Sequence, residues 1–213
     1  MRSLLKVKNR EAIYERDSVL FNEIQYSYPL LAGLMWIAAS NSGILKIIDF
    51  GGSLGSTYFQ NRKFLKNLNF LRWSIIEPKK HIRAGKEYFE TENLKFYDTI
   101  EDCVKIENPD TILFSSVLQY LEKPYELIEY IININFDYII IDRTGFINYG
   151  NNDLLTVQTV HPNIYIASYP CYFFNKPKFI NYFLRKYTLV SEFNSIDKYN
   201  IPAKSLGFIF KKK

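Results

Sequence analysis

Asp49, Gly51, Ser53 and Gly55 stand at alternate positions directly behind the apolar run Ile44-Leu45-Lys46-Ile47-Ile48, with Gly52 among them. A carboxylate followed by residues with little or no side chain lets a chain turn tightly and bring its backbone close to a ligand. The segment after the turn, Ser56 to Leu68, supplies a helix N-terminus facing that ligand. Recognition of a nucleotide-type cofactor is the chemistry these residues suit. A P-loop is excluded, because it needs Lys and then Ser or Thr after its last Gly, and Gly55 is followed by Ser56-Thr57-Tyr58. A dinucleotide fingerprint would place glycines at 51, 53 and 56, and two of the three are serine here. The pattern Asp-x-Gly-x-(Gly/Ser)-x-Gly fits better, and a plain tight corner is the alternative left open.

Two further carboxylates fall where such a cofactor would need them. Ile75-Ile76-Glu77-Pro78 ends a strand pattern 22 residues after Gly55 and places a carboxylate suited to two ribose hydroxyls, or else simply exposed at a strand end. Asp98 could accept from an adenine amino group or cap the segment that begins at Thr99. Ser115 and Ser116 follow another strand pattern and face the same crevice, because ligands of open α/β sheets sit beyond the carboxyl ends of the strands.

The elements that must position these residues alternate. Strands are expected at 44–50, 71–77, 94–97, 111–115 and 138–142, with helices at 57–68, 80–90, 99–106 and 124–134 between them. A helix at 176–187 precedes two closing strands, 188–193 and 206–211, whose short Pro202-containing connection suits antiparallel pairing. The expected fold is therefore α/β: a Rossmann-like, doubly wound, seven-stranded sheet, mostly parallel with an antiparallel C-terminal strand pair. Residues 143–152, with Gly145, Gly150 and three Asn, read as a functional loop or lid. Residues 1–43 read as an N-terminal helical extension or lid ahead of the main domain, 44–213. Pro29 opens a buried helix that stops at Asn41-Ser42-Gly43, and the mixed Arg10 to Tyr28 stretch could form a lid or a dimer arm.

The 213 residues suit one α/β domain, and 47% hydrophobic with 23% charged residues is ordinary for a globular chain. The +5 charge comes from 27 basic and 22 acidic residues spread along the chain, with three lysines at the very end. That distribution argues against a nucleic-acid partner and leaves anionic small substrates open. Cys103, Cys171, His81 and His161 are too few and too scattered for a zinc site or a disulfide framework, so no metal is expected. The start lacks the apolar core of a signal peptide, and Leu30 to Ala39 is too short to span a bilayer, so a cytoplasmic location is expected. The 17 Tyr and 17 Phe mostly alternate with Ile and Leu, as core residues do. Tyr165, Tyr169, Tyr172, Phe173 and Phe174 form a cluster that could cover the sheet or stack on a flat substrate.

With these motifs in place the chain resembles the class I S-adenosylmethionine-dependent methyltransferases, and more narrowly a bacterial family often associated with surface-polysaccharide biosynthesis. The resemblance covers about Tyr28 to Phe210. It rests on Ile47 to Gly55, Ser74 to Pro78, Ser115 to Leu121, Ile140 to Thr144 and Ser168-Tyr169-Pro170. It implies that S-adenosylmethionine is the cofactor, with Asp49 and the 51–55 turn at its site. Gly51, Ser53 and Gly55 would meet the methionine part, Glu77 the ribose, Asp98 the adenine, and Ser115 with Ser116 the rim. Ser53 departs from the commoner Gly. Methylation of a small acceptor, sugar-linked or anionic, is the implied activity. A nicotinamide-dependent oxidoreductase and a non-catalytic partner subunit are the alternatives; against the first, the chain lacks an evident Tyr-x-x-x-Lys pair.

Methyl transfer asks the protein mainly to orient and deprotonate. Tyr120, standing where many related enzymes carry His, could position the acceptor or pass a proton. Arg143 could bind a phosphate or carboxylate, or form a structural ion pair. His161 is the general-base candidate, and His81 is expected at the surface.

Overall fold

Seven consecutive residues, Ile44–Phe50, form a central strand that buries Leu45, Ile47, Ile48 and Asp49, as apolar β-branched runs do when both faces of a sheet are covered. The computed structural model describes residues 2–16, 19–160, 162 and 166–213. The fold is mixed α/β with mostly parallel central strands. The chain divides into two compact units, residues 1–113 and 114–213.

The first unit opens with α1 (Arg2–Lys8) and a short antiparallel hairpin, β1 (Tyr14–Arg16) and β2 (Val19–Phe21), so its N-terminal extension is not wholly helical. Next comes α2 (Tyr28–Ser40), with proline in its first turn and Leu30, Leu34 and Ile37 buried. Then follow β3 (Ile44–Phe50), α3 (Ser56–Leu65), β4 (Phe70–Ile76), α4 (Lys79–Tyr88), β5 (Leu94–Tyr97) and α5 (Ile100–Glu107). β3, β4 and β5 pair in parallel.

Two local features explain the boundaries. α5 is capped by Thr99, whose Oγ1 accepts from the Asp102 amide at 3.1 Å, so Asp98 lies outside the helix and exposed. α3 buries polar Gln60 and Asn61. Gln60 Nε2 donates to the Tyr14 hydroxyl at 3.1 Å and to the Gln25 carbonyl, so the N-terminal segment lies on this helix.

β6 (Thr111–Ser115) carries the chain into the second unit. There a 3-10 turn (Leu118–Tyr120), α6 (Pro124–Ile134), β7 (Tyr138–Ile147), β8 (Leu154–Thr159), β9 (Ser168–Asn175), α7 (Lys176–Leu184), β10 (Tyr187–Asn194) and β11 (Lys204–Lys212) follow. β11 pairs antiparallel with β10 on one side and β7 on the other. Phe146, Phe174, Phe179, Phe183, Phe208 and Phe210 are fully or almost fully buried and form much of this core. Phe146 meets Phe208 edge-on at 5.2 Å, a favoured aromatic geometry.

Two expectations are corrected here. The seven expected strands all occur, with β10 and β11 antiparallel, but seven is not the full number among the described residues: β9 pairs with β7 and β8 with β9, while β1 and β2 pair only with each other. The 143–152 segment is not all loop, because β7 continues through Ile147 with Thr144 to Ile147 buried. The strand pattern breaks at Asp142 for a physical reason. Ile141 pairs with Phe208 and Thr144 with Leu206, so Asp142 and Arg143 together oppose Gly207 in a β-bulge. Among the described residues no helix is long and apolar enough to cross a membrane.

Candidate functional site

The register of the first unit sets three chain ends side by side. Phe50 pairs with Ile76, and Ile76 with Tyr97, so the residues that follow, Gly51, Glu77 and Asp98, form a row across the carboxyl ends of β3, β4 and β5. Two strand spacings make that row about 10 Å long. Three left-handed residues shape the turn: Gly51 (φ 72°), Ser53 (φ 55°) and Gly55 (φ 99°). Its start is tied down by the Gly51 amide donating to the Ile76 carbonyl at 2.9 Å. The Ser53 amide donates to Glu77 Oε1 at 2.8 Å, which orients the Glu77 carboxylate toward the turn. His81 Nδ1 lies 3.9 Å from its other oxygen.

Asp49 lies beneath the turn. It is 1% exposed, and Oδ2 accepts from the Trp73 indole at 3.0 Å while Oδ1 has no hydrogen-bond partner. Burial pushes its carboxyl up to about 7; the Trp73 bond opposes that and the charge of Glu77 adds to it. A Cβ on Gly52 would stand 2.5 Å from this carboxylate and 2.8 Å from Ile75 Cδ1. Only glycine therefore lets the turn pack down on Asp49. The hairpin adds one more carboxylate: Glu15, 6% exposed, accepts from the Ser56 hydroxyl at 2.7 Å at the start of α3.

The second unit gathers the other candidates. Ser116, left-handed at φ 55°, donates its amide to the Asp142 carbonyl at 3.0 Å, and Ser115 Oγ lies 3.5 Å from Asp142 Oδ2. Asp142 is 1% exposed, and burial raises its carboxyl against the hydrogen bond from Ser195 and the charge of Arg143. Ser195 Oγ donates to Asp142 Oδ1 at 2.7 Å and accepts from the Arg143 amide at 3.1 Å. The Arg143 guanidinium is held by Asp197 through two bonds, Nε to Oδ2 at 3.0 Å and Nη2 to Oδ1 at 3.3 Å. Of the two roles expected for Arg143, the structure displays the ion pair.

Tyr120 is 39% exposed, and its hydroxyl donates to Gln158 Oε1 at 3.1 Å. The Gln158 amide donates in turn to the Tyr169 hydroxyl at 3.4 Å, and the Tyr120 and Tyr169 rings meet edge-on at 5.3 Å. Gln158 and Tyr169 are direct partners in the β8–β9 pairing. Burial raises the Tyr120 phenol above its ordinary value, so it is a neutral hydrogen-bonding group at neutral pH. The aromatic cluster thus splits: Phe173 and Phe174 are buried, Tyr169 sits beside Tyr120, and Tyr165 lies outside the described residues. His161 lies outside them too, while His81 is half exposed on α4. Among the described residues no group of His, Cys, Asp or Glu is arranged to hold a metal ion.

Asp197, Ser195, Gln158 and Glu15 belong to these arrangements although their sequence neighbourhoods carry no motif. Only pairing across β8–β9 and contact across the β7 bulge and the N-terminal hairpin reveals them.

No protein-family model matches the chain, and no curated protein matches it in sequence. Solved structures do. The N-terminal domain of EvdMO1, crystallised in the presence of SAH and D-fucose, aligns with 100% of this chain and 97% of its own at a TM-score of 0.59 and 11% identity. A SAM-dependent methyltransferase from Methanosarcina mazei covers 82% of this chain and 96% of its own, at 0.56 and 12%. The 1,6-didemethyltoxoflavin-N1-methyltransferase of Burkholderia thailandensis, with 1,6-didemethyltoxoflavin and S-adenosylhomocysteine bound, covers 99% of this chain and 88% of its own, at 0.52 and 11%. At these identities the likeness is one of fold, and the fold is the class I fold of S-adenosylmethionine-dependent methyltransferases.

Proposed function

We propose that this chain is an S-adenosylmethionine-dependent methyltransferase of the cytoplasm that methylates an oxygen of a small carbohydrate or carbohydrate-linked acceptor in surface-glycan synthesis. The observation that carries the reading is the row Gly51, Glu77, Asp98, with the Ser53 amide holding the Glu77 carboxylate in place. The turn amides would take the methionine part, Glu77 the two ribose hydroxyls and Asp98 the adenine amino group. When bound, the cofactor supplies a methyl group on a positively charged sulfur. Asp49, fixed by Trp73 and covered by Gly52, keeps the turn in shape. Glu77 orients the cofactor without a large reorganisation, because one of its oxygens is already positioned.

Tyr120 holds and orients the acceptor hydroxyl; a phenol raised above its ordinary value is a poor base and a good hydrogen-bonding guide. The sugar assignment draws support from D-fucose, present with SAH in the EvdMO1 crystals, and from the polar, aromatic character of the Tyr120–Gln158–Tyr169 group.

Calorimetry of the purified chain with S-adenosylmethionine, S-adenosylhomocysteine and NAD tests the cofactor assignment. Binding of the first two is expected. Binding of NAD alone would refute it in favour of an oxidoreductase. Methyl transfer to any of a panel of sugars would exclude a non-catalytic subunit.

A further inference from the structure

Arg143 is the basic side chain that would draw a phosphate or carboxylate on an acceptor to the second unit, yet its guanidinium already has a carboxylate on it. The two bonds to Asp197, 3.0 and 3.3 Å, use the Nε and Nη2 edge in the forked geometry by which arginine captures carboxylate and phosphate ligands. Both side chains are largely withdrawn from water, at 15% and 24% exposure, so the pair is weakly screened.

Its partner is built in. Two residues before Asp197, Ser195 donates its hydroxyl to Asp142 at 2.7 Å and its amide to the Ser205 carbonyl at 2.9 Å. Two residues after it, the Tyr199 ring packs edge-on against Phe173 at 4.8 Å. The pair is fixed from the other side as well, because Arg143 stands in the β7 bulge with a left-handed backbone (φ 52°) and donates its amide to Ser195. Asp142 joins the same network through the Ser195 hydroxyl, so the segment that carries Asp197 is anchored to both residues of the β7 bulge. An arriving anion would have to displace Asp197 from this fixed position.

We propose that Asp197 is a specificity-determining residue: it closes Arg143 to anions, so that the acceptor meets this surface with uncharged hydroxyl groups and no phosphate or carboxylate. This rests on the second unit's Tyr120 surface receiving the acceptor, and it narrows the acceptor to a neutral one. Asp197 thus acts by occupying Arg143, without touching the reacting atoms.

The test needs neither cofactor nor turnover. The full chain is titrated with inorganic phosphate at constant ionic strength while the Arg143 Nε–Hε resonance is followed by NMR. In the wild-type protein this resonance is expected to stay unmoved into the millimolar range. Asp197→Asn should show a saturable shift and bind phosphate at least about tenfold more tightly, because the carboxylate competitor is gone. A thermal melt checks that the variant is folded. If it is not, the wild-type titration decides alone: a saturable shift of the Arg143 resonance would overturn the proposal, as would a folded Asp197→Asn protein with no gain in phosphate binding. Failure of S-adenosylmethionine to bind in the separate calorimetry would remove the methyltransferase reading and leave the phosphate result standing, so the two failures are distinct.

Discussion

Exchanging Asp49 for Asn tests whether the carboxylate under the glycine turn carries a cost that rises with pH. Burial pushes its carboxyl from an ordinary 3.8 up to about 7. Between those values the folded chain keeps a proton that the unfolded chain has released. Raising the pH through that window therefore favours the unfolded state, and above about pH 7 the penalty levels off. At about 1.4 kcal/mol per pH unit the full penalty is about 4 kcal/mol. Asn keeps an acceptor for the Trp73 indole and carries no charge. Urea unfolding of both proteins at pH 5, 7 and 9, compared as differences so that other titrating groups cancel, is the assay. Asn should gain on wild type by roughly 3 kcal/mol between pH 5 and pH 9, from the part of the titration that lies in this interval. A difference that stays flat across these pH values would refute the placement of Asp49 as a buried, charge-destabilised group. So would wild type gaining on the variant as the pH rises.

Glu77→Ala removes the carboxylate held by the Ser53 amide and should weaken S-adenosylmethionine binding by about 10- to 100-fold, the worth of a charged hydrogen bond; unchanged affinity in calorimetry would mean the row across β3, β4 and β5 is not the ribose site. Gly52→Ala drives a methyl to 2.5 Å from the Asp49 carboxylate and should cost about 1–3 kcal/mol of stability in urea unfolding. Tyr120→Phe keeps the ring against Tyr169 and loses the bond to Gln158; kcat should fall about tenfold or more with S-adenosylmethionine affinity intact, and an unaltered kcat would remove Tyr120 from acceptor positioning.

Much of the architecture was legible because local rules agree with one another. Apolar β-branched runs such as Ile44 to Phe50 and Tyr138 to Asp142 mark strands wherever both faces are buried. Pro124 at the start of α6 and left-handed Asn135 at its end bracket that helix as written in the chain. The expected end of the 138–142 strand was an apparent one. A bulge puts Arg143 in a left-handed conformation and interrupts the alternation, and the strand resumes beyond it. β8 and β9 were illegible for a related reason: β8 leaves Leu155 and Val157 exposed at 55% and 71%, so its apolar residues report no core.

The turn from Asp49 to Gly55 and the Glu77 that follows were determined by sequence alone, because backbone geometry demands small residues there and strand spacing sets the interval. What each side chain does was decided only by the tertiary structure. Asp49 and Arg143 both looked available to a ligand; one is sealed under the turn by Trp73 and Gly52, the other is held by Asp197, 54 residues away along the chain. Desolvation and long-range pairing set those roles, and both depend on residues that are neighbours only once the chain has folded.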